Sequence, residues 1–214
     1  MDRRQLLHLL LLSPALCLAD NALPAKSNNN DNTLGGVLKP YMQIGDFADD
    51  KYRVFMFLSF NCPYCKETWK GMGDWGKTLP NPFKFVYVPL SFGDKRLDLA
   101  SNAFYVVRDL APQKLESILE IAFTKAGNIR SWQEWVEILQ RLGLPKQSIH
   151  TALNKPATSK RIERGRLLAK RYRLNVTPHF GIGGKYATNA GYTNGDYQLL
   201  VKLLNALVSE IIQS

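Results

Sequence analysis

Two cysteines three positions apart, Cys62 and Cys65, enclose Pro63 and Tyr64. A pair at this spacing can staple the chain, offer two thiolates to a metal, or exchange thiols with another protein's disulfide. A staple across two residues closes too short a loop to restrain the unfolded chain much. Zinc would need two more ligands, yet no second cysteine pair exists and only His150 and His179 occur beyond residue 19. Thiol–disulfide exchange uses the pair as it stands: one sulfur attacks or is attacked, and the other resolves the mixed disulfide. A second feature is Thr177-Pro178, at the start of an apolar run. A proline there offers no ladder N–H and is odd in a sheet interior. As a cis proline beside the dithiol, it would leave the preceding backbone free to pair with an extended substrate.

Such chemistry needs a sulfur at a helix start. Residues 52–60, Tyr52-Arg53-Val54-Phe55-Met56-Phe57-Leu58-Ser59-Phe60, are a near-continuous apolar run, as expected of a strand buried on both faces. The cysteine motif follows at once and opens a helix to about Leu79, which Pro80-Asn81-Pro82 stops. Cys62 then sits where unpaired N–H groups and the positive helix end favour a thiolate. Pro63 suits the first helical turn, and Tyr64 lends the sulfur a weak dipole. Cys65 lies one turn deeper. Residues 83–90 read as a second strand, giving a strand–helix–strand unit and a parallel pair.

Residues 97–173 carry helical periodicity and no convincing strand. Ser131-Trp132-Gln133-Glu134 is a capping box opening a helix that Gly143 and Pro145 end. A helix over 146–153 is expected to break at Pro156, and residues 158–173 form a strongly basic helix. Its charges read as a solvated face, because aromatics are not interleaved as a nucleic-acid stacking platform requires. Nucleic acid is not an expected partner. Val176 to Ile182 then read as a strand, Gly183-Gly184 as its turn, and Lys185 to Thr188 as the returning strand. His179, next after Pro178, is a candidate tuner of Cys62, although side-chain alternation makes facing away equally open. Leu199, Leu200, Leu203, Leu204, Leu207, Val208, Ile211 and Ile212 mark an amphipathic closing helix.

The 214 residues carry a formal charge of +10, with 45% hydrophobic residues, enough for one domain with an insertion. Arg3 and Arg4, the apolar run Leu6 to Leu12, and small residues to Ala19 read as an export signal over 1–19, cleaved after Ala19. Bulky Leu16 argues against a lipid anchor on Cys17. The mature chain would keep Cys62 and Cys65 alone, and a lone pair in an oxidising compartment points to chemistry.

From about residue 50 to 214 the chain resembles the bacterial periplasmic DsbA-like oxidoreductases. The likeness rests on Phe57-Leu58-Ser59-Phe60-Asn61-Cys62-Pro63-Tyr64-Cys65, the long helical insert, and Val176-Thr177-Pro178 followed by Gly184-Lys185-Tyr186. It implies an α/β thioredoxin fold: a mixed central sheet flanked by helices, with an inserted helical domain. The expected organisation is a signal peptide over 1–19, a flexible lead-in over 20–49, the thioredoxin-like domain over 50–96 and 174–214, and the helical insertion over 97–173. Catalysis by Cys62 and Cys65 is implied, with Thr177 and Pro178 contacting substrate and no cofactor beyond the redox-active disulfide. Implied partners are reduced or misfolded exported proteins and a membrane quinone-linked reoxidase, with the protein a periplasmic monomer.

Three residues depart from the strongest oxidases of that family. Tyr64 stands where histidine is usual, Thr177 where valine often precedes the proline, and Met56 where a buried carboxylate often lies six residues before the first cysteine. These departures suggest a less extreme or specialised oxidant. A thiol reductase or isomerase is the alternative, although the lead-in is too short for the isomerases' dimerisation domain. A further alternative is a peptide-binding chaperone or metal carrier that keeps only the fold.

Overall fold

The structure, a computed structural model, describes residues 33–34 and 37–214. The expected signal over 1–19, with Cys17, and the lead-in up to residue 32 lie outside the described residues. A small antiparallel hairpin, β1 (Thr33–Leu34) and β2 (Val37–Leu38), comes first. The central sheet has five strands: β3 (Met42–Gln43), β4 (Arg53–Leu58), β5 (Lys84–Pro89), β6 (His179–Ile182) and β7 (Tyr186–Asn189). Their order is β3-β7-β6-β4-β5, with β4 and β5 parallel and every other pair antiparallel. This is the mixed sheet of a thioredoxin fold.

The apolar run of β4 is buried on both faces, as its composition requires. Val54, Met56 and Leu58 pack on one side with Cys65, Trp69, Phe180 and Ile182. Phe55 and Phe57 pack on the other with Val88, Leu90, Leu168 and Tyr172. Alternation along one strand thus divides the core into two layers. The first layer lies under α1 (Pro63–Gly76) and α7 (Tyr197–Gln213). Trp75 Nε1 of α1 donates to Asn205 Oδ1 of α7 at 3.0 Å, joining the two helices.

Between β5 and β6 every regular element is helical: α2 (Lys95–Leu110), α3 (Leu115–Lys125), α4 (Trp132–Arg141), α5 (Lys146–Leu153) and α6 (Pro156–Arg171), with a short 3-10 turn before α3. Asp94 caps α2 by accepting from the Arg96 N–H at 2.9 Å. The Ser131–Glu134 capping box opens α4 as its spacing predicts. The insertion docks onto the dithiol helix through aromatic rings: Phe123 of α3 stacks on Trp69 at 6.1 Å and meets Phe60 edge-on at 5.2 Å.

Several boundaries differ from the sequence reading. α5 ends at Leu153 as expected, but Pro156 also begins α6, two residues before the basic helix was expected to start, because the first helical residue needs no N–H donor. Val176 to Pro178 stay outside the sheet; β6 begins at His179, the first residue whose backbone joins the ladder. Its partner β7 runs to Asn189. The expected flexible lead-in is corrected near its end. Met42 and Gln43 pair with Ala187 and Tyr186, the Ile44 and Phe47 N–H groups donate to Lys185 and Gly184, and a 3-10 turn over Ala48–Asp50 follows. That turn buries the Asp50 carboxylate completely, 2.7 Å from an Arg171 nitrogen of α6. Among the described residues, no helix is long and apolar enough to cross a membrane.

Candidate active site

The turn from β4 into α1 places the first sulfur. The Cys62 N–H donates to the Ser59 carbonyl at 3.0 Å, and Ser59 Oγ donates to Asn61 Oδ1 at 2.7 Å, which fixes the loop. Cys62 has extended backbone geometry (φ −85°, ψ 117°) and is the N-cap of α1, with Pro63 first in the helix. Its sulfur takes the place usually filled by a serine or aspartate oxygen. The Cys65 N–H donates to Cys62 Sγ at 3.4 Å. That bond strengthens when the sulfur becomes an anion. The thiol in turn donates to the Thr177 carbonyl at 3.2 Å.

The two cysteines sit in unlike surroundings. Cys62 is half-buried and reachable, whereas Cys65 is completely buried beside Met56 and Trp69. Burial pushes the Cys65 thiol well above the ordinary range, outweighing a hydrogen bond to the Ser59 backbone that pulls the other way. Met56, where a carboxylate could take the Cys65 proton, is itself fully buried among apolar groups. Among the described residues, no group of three or more His, Cys, Asp or Glu side chains could hold a metal ion.

The Thr177–Pro178 peptide is cis, and the loop that carries it lies against Cys62. Thr177 and Pro178 also line an open cleft of about 690 Å³ beside the sulfurs. Tyr64, 63% exposed, stands on its rim. Glu67, Val176, Asn189 and Tyr197 complete much of the wall. The cleft residues come from three separate stretches of the chain, so no local pattern could have revealed them. Tyr197 opens α7, and its phenol is pushed up chiefly by burial, with both cysteines adding to the effect. It therefore stays a neutral group near the sulfurs, and sequence reasoning missed it.

His179 is placed away from the sulfurs. Its ring packs against Phe57 at 6.2 Å, in the layer on the opposite sheet face, and its Nε2 lies 3.0 Å from the Tyr172 carbonyl. Alternation decides this: the residue after Pro178 points to the other side. Its role is to hold the proline loop down onto α6's end. Burial pulls its pKa from 6.5 to about 4, against the smaller opposite effect of the Tyr172 carbonyl.

A stability change with pH follows. The folded pKa lies below the unfolded one, so the unfolded chain binds a proton that the folded chain refuses. The stabilisation is complete above about pH 6.5 and is lost as pH falls towards 4. The loss expected over that window is about 3 kcal/mol. Urea midpoints at pH 7 and 4.5 should show it in the native chain. His179→Gln, which keeps a donor for Tyr172 but cannot titrate, should lose much less; an equal loss in both proteins would contradict the assignment.

Comparison with known proteins agrees with this geometry. A model of the DSBA-like thioredoxin domain family matches residues 53–204. The thiol:disulfide interchange protein DsbA of Burkholderia cepacia is 28% identical over 197 residues, covering 89% of this chain and 90% of its own. The crystal structure of Pseudomonas aeruginosa DsbA superposes with a TM-score of 0.69 at 21% identity, over 85% of this chain and 95% of that one. A Proteus mirabilis DsbA solved with a non-covalently bound peptide superposes with a TM-score of 0.67 at 18% identity, over 79% and 96% of the two chains.

Proposed function

Because the chain belongs to the DSBA-like thioredoxin domain family and is a thiol:disulfide oxidoreductase, we propose that it works as an oxidase, giving disulfides to exported proteins in the periplasm. The observation that carries this reading is the division of labour between the sulfurs. Cys62 is half-buried at a helix N-terminus, accepts an N–H from Cys65, and donates to the carbonyl of Thr177, which lines the cleft. Cys65 is sealed behind it.

The reaction has two exchanges. With the Cys62–Cys65 disulfide formed, a substrate thiolate attacks Cys62 Sγ, the more exposed sulfur of the pair. The S–S bond breaks, its electron pair passes to Cys65 Sγ, and Cys65 takes up a proton, as its apolar surroundings favour. A mixed disulfide now joins Cys62 to the substrate. The substrate's second thiolate then attacks its own sulfur in that bond and expels Cys62 as a thiolate. The Cys65 N–H and the N-terminus of α1 receive that charge. The substrate leaves oxidised and the protein reduced by two electrons. A membrane quinone-linked partner would restore the disulfide.

Substrate binding is assigned to the cleft and the Thr177 backbone. The Thr177 carbonyl, which takes the Cys62 proton donor in the free protein, can accept an N–H from an extended substrate. Apolar side chains flanking the substrate cysteine would pack on Tyr64, Val176 and Tyr197. The cleft suits an unfolded segment, which exposes such residues.

Equilibration with glutathione tests the direction of the reaction. An oxidase should have a potential more oxidising than about −200 mV, since stabilising the Cys62 thiolate stabilises the reduced form, with 30 mV for each ~1.4 kcal/mol. A value near the roughly −270 mV of thioredoxin would favour a reductase instead.

A further inference from the structure

On the sheet face away from the dithiol, positive charge converges on a cleft of about 180 Å³ between β4, α2 and α6. Arg53 enters it from the start of β4, Arg108 from the end of α2, and Arg161 and Arg164 from successive turns of α6. The basic residues of α6 are therefore not all a solvated fringe. Two carboxylates stand against them. Asp109 binds Arg161 and lies 4.0 Å from Arg108; Asp50 binds Arg171 and lies 3.7 Å from Arg164. Four guanidinium groups thus share two carboxylates, and Arg53, a fifth, makes no ion pair among the described residues.

Arg108 shows the imbalance most clearly. Its guanidinium lies 4.6 Å over the Tyr105 ring, and burial pulls its pKa below the usual guanidinium range. A cation so placed, with its nearest carboxylate at 4.0 Å, keeps donors that water serves poorly. The Tyr105 phenol also lines the cleft; burial pushes it up to about 12, so it remains an O–H donor. Gly165 keeps the helix wall low: a Cβ there would come within 3.2 Å of Val88 Cγ1 and 3.7 Å of the Tyr105 hydroxyl.

We propose that this cleft binds a small oxyanion of the phosphate type, held by the forked donors of Arg53, Arg108 and Arg164. Planar guanidinium forks match such oxygens two at a time. A dianion answers the charge imbalance better than a single carboxylate does. The size sets the class as well. Sites that enclose whole drug-sized ligands run from about 300 to 1,000 Å³, so this cleft takes one headgroup-sized anion rather than a nucleotide. Because the site lies across the sheet from the sulfurs, its occupant would stabilise the fold and leave the exchange chemistry alone. Free phosphate and the headgroup of an acidic phospholipid share this chemistry.

The test uses the full chain. Sodium phosphate is titrated calorimetrically at constant ionic strength, balanced with chloride so that general screening cancels. In parallel, flotation is measured with phosphatidylcholine vesicles with and without phosphatidic acid. Arg53→Gln and Arg53→Gln/Arg164→Gln are compared, with circular dichroism confirming that each is folded. Saturable phosphate binding weakened about tenfold or more by the double variant, and partly by the single one, is expected if the source is free anion. Binding to phosphatidic acid vesicles alone, with the same losses, supports the same cleft with lipid as the source. Absence of saturable binding in both arms, or binding indifferent to the folded single variant, overturns the proposal.

Discussion

Replacing Cys62 by serine should reduce oxidation of a reduced substrate protein to the uncatalysed rate, while the protein stays folded. The oxygen of serine can still cap α1, and it does so better than sulfur, since hydroxyls are preferred at that position. The half-buried position also accepts the smaller atom without a cavity of consequence. Stability should therefore hold or rise slightly, and only the chemistry should vanish. The hydroxyl neither forms a disulfide with Cys65 nor accepts attack from a substrate thiolate. Cys65 cannot substitute, because it is completely buried and its thiol is held protonated. Stopped-flow or gel-based oxidation of a reduced protein, with a urea melt alongside, reads both halves. Residual catalysis in a folded Cys62→Ser variant would mean that Cys65 is reachable after all.

Gly181→Ala should destabilise the fold by about 3 kcal/mol, near the upper end of what overpacking costs. Gly181 faces the Tyr172 ring so closely that an added Cβ would lie 2.4 Å from Cδ1 and 2.5 Å from Cε1. That ring is fully buried and cannot swing aside. It packs between Phe55 and Phe57 at 5.4 and 5.6 Å, its hydroxyl accepts from the Gly184 N–H at 3.2 Å, and the Asp50 carboxylate lies 3.4 Å away. The Tyr172 carbonyl also anchors His179, next to Pro178. A single methyl therefore pushes on the layer beneath the substrate loop. Urea unfolding should show a lower midpoint with an unchanged slope. A midpoint within experimental error of the native one would show that the layer yields more easily than its packing indicates.

The sequence carried these features unequally. The run Tyr52 to Phe60 was legible because a strand buried on both faces has few other compositions. The motif at Cys62 to Cys65 was legible because strand, proline and helix start are all local signals. Pro156 was legible only as a stop for the helix over 146–153, because nothing local says that the same proline also opens the next. β3 left no trace, since two residues, Met42 and Gln43, offer no period to detect. His179 turned away from the sulfurs for a reason that alternation states but cannot assign: the parity depends on where the ladder begins. The substrate cleft, and the arginine cleft across the sheet, gather residues from distant segments. Only tertiary packing brings Tyr64 to Tyr197, or Arg53 to Arg164.

Met56, fully buried where a carboxylate could stand, offers no proton acceptor at that position to the buried Cys65 thiol. That thiol's high proton affinity suits the oxidase direction, in which Cys65 ends as a thiol.

Trapping gives the most direct view of the two sulfurs at work. In a Cys65→Ser variant the mixed disulfide has no internal resolver, so incubation with a partly oxidised substrate protein should accumulate a covalent complex. Peptide mapping should place the bond on Cys62, and a reductant should release both partners intact. A folded variant that yields no complex, or one joined anywhere other than Cys62, would contradict the account.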